Sequence, residues 1–170
     1  MKNRKIIFGL FILTIIFLVS CKKSDTELTL QTYRYDCSLK RPIYEKGVLV
    51  KETLPILNKL CLTEKPSLDN PFTVKYIFKY DRLYFDRPNE QRVANATIYL
   101  HDGLSLVEGN LKWKGTLTEK QEQSIEVKVK ASDIGKYRIG ASIYVEGVGG
   151  IGDYFVLNIT TNEIIVTDQP

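Results

Sequence analysis

From residue 70 onward, apolar side chains recur at every second position, and this spacing limits the possible fold more than any other feature. In SIEVKVKA, Ile125, Val127, Val129 and Ala131 fall on one side, with Glu126, Lys128 and Lys130 on the other. ANATIYLH sets Ala94, Ala96, Ile98 and Leu100 against Asn95, Thr97, Tyr99 and His101. VKYIFKY groups Val74, Tyr76, Phe78 and Tyr80, and YRIGASIYV groups Tyr137, Ile139, Ala141, Ile143 and Val145. DYFVLNIT and EIIVT supply two further runs. Strand side chains alternate between faces, whereas helical ones repeat every 3.6 residues. No window from 70 onward keeps the helical period. Strands with one dry and one wet face pair antiparallel and bury their dry faces by stacking, so the expected class is all-β, a two-sheet sandwich over 71–170.

The opposite end of the chain has a different character. Lys2, Arg4 and Lys5 precede an apolar run from Ile6 to Val19, shorter than the roughly 20 residues a membrane-spanning helix needs. A basic start, a short greasy centre and small residues after it predict a secretory signal peptide over 1–20. Leu18-Val19-Ser20-Cys21 resembles the lipobox of bacterial lipoproteins. That resemblance implies cleavage before Cys21 and acylation of its thiol and amino group, with chains such as palmitate. Two or more chains hold a protein stably to a bilayer where one does not. In that family an Asp after the cysteine implies inner-membrane retention. Lys22 stands there instead, so the implied address is the outer membrane, on either face, with residues 21–27 as a polar tether.

Removing the leader changes the electrostatics. Of 24 basic residues, three lie in the leader, leaving 21 against 20 acidic ones. A mature charge near +1, with bases and acids interleaved along the strands, reads as a solvated surface and argues against nucleic acid as a partner. Cys37 and Cys61 remain as an even pair in an oxidising compartment, which predicts a disulfide, with two reduced buried thiols as the alternative. The chain contains a single histidine, which leaves no histidine-based metal cluster, and no cofactor is expected. Residues 28–70, punctuated by Pro42, Pro55, Pro66 and Pro71, read as an irregular lead-in stapled by the two cysteines. Within it, Thr53 to Leu62 fits either a helical turn or a strand beside the first sheet.

Asp133-Ile134-Gly135-Lys136-Tyr137 resembles the tyrosine corner of immunoglobulin-like sandwiches, in which the hydroxyl of a Tyr near the start of strand F bonds back to upstream backbone. Trp113 stands where a strand-C Trp packs between the sheets in that class, and Ile139 replaces the usual cysteine. Arg92 to Ile98 together with Gly135 to Ser142 is similar to the invasin-type bacterial immunoglobulin-like domain, and transthyretin-like domains share the first of these stretches. The resemblance implies adhesion, spacing or ligand display, with no catalytic residues.

Several motifs invite chemistry. Gly147-Val148-Gly149-Gly150-Ile151-Gly152 fits G-x-G-x-x-G, but a dinucleotide site needs a helix after it, and β-branched and aromatic residues follow instead. A flexible hairpin loop between strands F and G is expected, with Gly149 and Gly150 available to a partner. His101 before Asp102 and Gly103 reads as a turn. Asp102, Asp133 and Asp153 read as loop carboxylates able to share calcium if their loops converge. The binding candidates are Tyr144 and Tyr154 on the outward phase of strands F and G, with Lys112 and Lys114 on the same outer face; the alternative is that the lead-in segment covers these tyrosines, and they form a contact surface only if exposed. The expected function is a lipid-anchored, non-catalytic envelope module that contacts a protein or glycan. The alternatives are a periplasmic inhibitor acting through the F–G loop and a hydrolase using loop carboxylates.

Overall fold

A computed structural model describes residues 34–39, 55–68, 70–81, 90–160 and 164–167. The leader, Cys21 and the 21–27 tether lie outside the described residues. The strands are β1 (Ile56–Leu62), β2 (Phe72–Tyr80), β3 (Gln91–Leu100), β4 (Leu104–Gly109), β5 (Lys112–Thr118), β6 (Glu122–Ala131), β7 (Gly135–Val145), β8 (Gly149–Ile159) and β9 (Ile164–Thr167). They form one sheet in the order β1-β2-β6-β4 and a second in the order β5-β3-β7-β8-β9. Every strand pairing is antiparallel. The two sheets make an immunoglobulin-like sandwich, with β3, β7 and β8 in the places of strands C, F and G.

The alternating positions make the core. Val74, Tyr76 and Phe78 of β2 and Val127 and Val129 of β6 are buried in one cluster with Ile98, Ile139, Ile143, Phe155 and Leu157 of the second sheet. Each such side chain contributes about 1.5–3 kcal/mol on leaving water. The tyrosine corner is present: the Tyr137 hydroxyl donates to the Asp133 carbonyl at 2.7 Å. Gly103, at φ +91, makes the β3–β4 turn, and a Cβ there would stand 2.6 Å from the Tyr137 ring. That close approach places the turn against the corner.

Three expectations change. First, β1 lies inside the stretch expected to be irregular, and from Ile56 onward the Thr53–Leu62 ambiguity resolves as strand, paired along its length with β2. Ile56, Leu60 and Leu62 are buried on the core side, and Leu57, Lys59 and Cys61 are buried on the other. A strand dry on both faces has no wet-dry alternation to detect. Second, Trp113 sits on β5, at the edge of the second sheet, and not on the strand-C position. It is half-buried and its ring packs 5.2 Å from that of Phe78. Third, the glycine run is mostly strand. Val145 pairs with Gly149, so only Glu146–Val148 turn the chain, with Val148 N–H donating to the Val145 carbonyl.

Candidate functional site

The register of the second sheet places outward residues in rows across β5, β3, β7 and β8. Lys114, Asn95, Tyr144 and Gly150 share one row, and Lys112, Thr97, Ser142 and Gly152 share the next. Tyr99, Gly140 and Tyr154 form the third. In the fourth, Arg138 pairs with Val156, and Lys136 lies two residues further along β7. Each tyrosine therefore neighbours a glycine across the strand. Tyr99 and Tyr144 are each 55 % exposed. The Tyr99 and Ser142 hydroxyls lie 3.0 Å apart, and the Arg138 guanidinium stacks 4.1 Å above the half-buried Tyr154 ring.

This relief leaves two shallow grooves. One, of about 420 Å³, includes Tyr99, Arg138, Gly140 and Tyr154 in its lining. The other, of about 430 Å³, includes Asn95, Thr97, Ser142, Tyr144 and Gly150. Both contain Tyr99 and Gly152, so they run into each other. The structure thus brings together the expected Tyr144, Tyr154, Lys112, Lys114 and Gly150. Gly149 stands apart from the grooves at the end of the turn, at φ +125, where glycine is favoured.

Beside this face lies a buried ionic clasp. Arg34, 5 % exposed, donates to Asp153 Oδ2 at 2.8 Å, to the Leu60 carbonyl at 3.0 Å and to the Tyr154 carbonyl at 2.9 Å. Leu60 N–H also donates to Asp153 Oδ2, at 2.9 Å. The clasp ties residue 34 to β1, the edge of the first sheet, and to β8, whose pairing with β9 begins only at Val156. The Cys37–Cys61 disulfide adds a second tie to β1.

The three carboxylates that could share calcium only if their loops converged do not form such a group. Asp153 is no loop carboxylate: because β8 starts at Gly149, residue 153 falls mid-strand on the inward phase, paired with Ala141. Asp102 and Asp133 stay in the end turns. Among the described residues, no group of three or more His, Cys, Asp or Glu is placed to hold a metal. His101 is a turn residue, with Nδ1 2.8 Å from the Asp102 carbonyl and its ring edge-on to Tyr137. Glu90 and Glu119 meet where Glu119 N–H donates to the Glu90 carbonyl, and the Glu90 carboxylate is held by Arg92.

Sequence reasoning missed Tyr99, Gly140, Ser142, Gly152, Lys136 and Arg138 as members of the face. Tyr99 was legible as outward on its strand. What was missing was the register that sets it beside Gly140.

No protein-family model and no curated protein matches the chain. Among solved structures, it is similar to the cupredoxin domain of amoB from Nitrosocaldus yellowstonii at 15% identity, with a TM-score of 0.33, covering 59% of this chain and 60% of that one. The match therefore spans less than two thirds of the neighbour's length. The class this fold defines is an all-β, disulfide-bonded immunoglobulin-like sandwich.

Proposed function

We propose that this chain is a lipid-anchored, non-catalytic binding module of the cell envelope, hung from the outer membrane by Cys21. In this reading it contacts a protein or glycan through the outer face of β7 and β8 and the turn between them, as the resemblance to invasin-type domains implies. One observation carries the reading: Tyr99, Tyr144 and Tyr154 stand around a glycine floor on an open sheet face. Aromatic rings offer large contact area at small entropic cost. Asp153 is committed to Arg34 and Glu90 to Arg92, so neither of these two carboxylates is free to act as an acid or base.

Two experiments test the reading. Labelled palmitate should enter the wild type and not Cys21→Ser, and equal labelling refutes the anchor. Full-length protein purified from its own membrane should carry a co-purifying molecule that is lost from the Tyr99→Ala/Tyr144→Ala variant. Unchanged recovery removes this face as the contact.

A further inference from the structure

The charge pattern on the second sheet narrows what the face binds. Its ionised outward positions are Lys112 and Lys114 on β5 and Lys136 and Arg138 on β7, all exposed. Among the described residues of this sheet, no outward position on any strand is Asp or Glu. None of these cations is in an ion pair there, and Arg138 instead lies over the Tyr154 ring. The nearest acids in sequence, Glu146 and Asp133, belong to the turns at the two ends of β7. The mature chain is close to neutral, so this face has been sorted by sign and not merely enriched by an overall excess of base. Cations gathered without counter-charges repel one another and add nothing to the fold; they complement an anionic occupant.

The relief between the charges selects the occupant further. Gly140 lies between Tyr99 and Tyr154, one strand to either side, so the two ring-bearing positions are roughly 10 Å apart across two strand spacings. Glycine weakens a strand interior and marks places where something approaches the backbone closely. A Cβ on Gly140 would meet nothing nearer than 3.9 Å, so packing within the fold does not require glycine there. A sugar ring presents a C–H face to tyrosine and hydroxyls to Asn95, Thr97 and Ser142. From the Tyr144 row to the Arg138 row is six residues of β7, roughly 20 Å, with Lys112 and Lys114 near one end and Lys136 and Arg138 at the other. Single-stranded nucleic acid suits the arrangement less well, because it asks for cations tracking every phosphate along the groove.

We propose that this face binds an acidic polysaccharide, a chain of sugar rings bearing carboxylate or sulfate groups, laid along β7 with its rings against the tyrosines and its anions at the two basic ends. The proposal rests on the binding reading above.

Isothermal titration of the full-length protein in mild detergent with polygalacturonate, dextran sulfate, neutral dextran and oligothymidylate tests it. Both acidic polymers should bind, with neutral dextran about tenfold weaker or worse, and the affinity should fall as salt is raised. Replacing Lys112, Lys114, Lys136 and Arg138 together by Ala should lower affinity on the order of a hundredfold at low ionic strength. Tyr144→Ala should cost about tenfold. Gly140→Val should fill the trough and abolish binding while the melting temperature holds or rises, a result that a purely structural glycine would not give. Failure of both acidic polymers to bind overturns the proposal. So does binding that survives Tyr144→Ala and Gly140→Val, which would be simple ion exchange, and so does tighter binding of oligothymidylate. Dextran binding as tightly as polygalacturonate, and lost in Tyr144→Ala, overturns the acidic class while leaving the binding face standing.

Discussion

The two outer faces of the sandwich come from the same alternating strand pattern, yet they end in opposite chemical states. On the first sheet, charges find partners: Lys128 Nζ lies 2.7 Å from Glu108 Oε2, and Lys75 Nζ 3.6 Å from Glu126 Oε2. Toward β1 that face is also covered, with Leu57, Lys59 and Cys61 buried on the side away from the core and Cys37 bonded to Cys61. Among the described residues, the outward strand positions of the second sheet carry exposed tyrosines, glycines and cations with no acid among them. A polar outer face can thus be neutralised by its own residues or left chemically open, and only the open kind offers a partner something the protein does not already satisfy.

The largest effect should come from the clasp that joins the sheet edges. Asp153→Ala would leave Arg34 buried without its carboxylate and Leu60 N–H without an acceptor, a loss of about 3–5 kcal/mol. Urea denaturation should show this as a lowered midpoint with an unchanged slope; an unchanged midpoint would mean the edges hold without the ion pair. Next comes the cover on the first face. Cys37→Ser should cost about 2–4 kcal/mol and, by loosening residues 34–39, expose the apolar outer side of β1 to a hydrophobic dye. An equal dye signal from wild type and variant would show that the cover does not depend on the disulfide, and the contrast between the faces would then need another cause.

Two smaller effects sharpen the same contrast. Tyr99→Ala and Tyr144→Ala should each leave stability within about 0.5 kcal/mol, because both rings stand in solvent. A larger loss on thermal melting would mean that the second face is packed and not open. The smallest effect belongs to the surface pair. The hydrogen bond and charge of Lys128 hold the Glu108 carboxyl below its ordinary value, and Glu108 in turn raises Lys128. A carboxyl depressed on folding stabilises above its unfolded pKa, and that contribution is lost as the pH falls through the folded one. Wild type and Lys128→Ala should therefore differ slightly in melting temperature at neutral pH and converge in acid below the usual carboxylate range. Divergence in acid would contradict the pairing.

Much of the framework was readable from local pattern. The runs at 74–80, 94–100, 125–131 and 137–145 name their own buried side, and every residue assigned to the dry face of β6 and β7 is buried. Tyr137 declared its corner through Asp133 and Gly135, four and two residues away. β1 was harder because burial on both sides erases the alternation. The clasp was invisible, since Arg34 and Asp153 are 119 positions apart and neither has an unusual neighbourhood. The charge sorting was equally hidden: β5 and β7 each show two bases on an ordinary wet face, and only assembly sets them on one sheet while, among the described residues, the outward acids of β4 and β6 stand on the other.

The chain on its own determined which residues face inward, because strand geometry turns every second side chain to the same side whatever the neighbouring strands are. It also determined the likeness of its amino terminus to an exported, acylated leader. The tertiary structure decided which outward residues become neighbours, since register and strand order across β5, β3, β7 and β8 place Tyr99 beside Gly140 and gather the cations on one face. Side-chain direction is a local property of the backbone, whereas adjacency across strands is a property of pairing between distant segments.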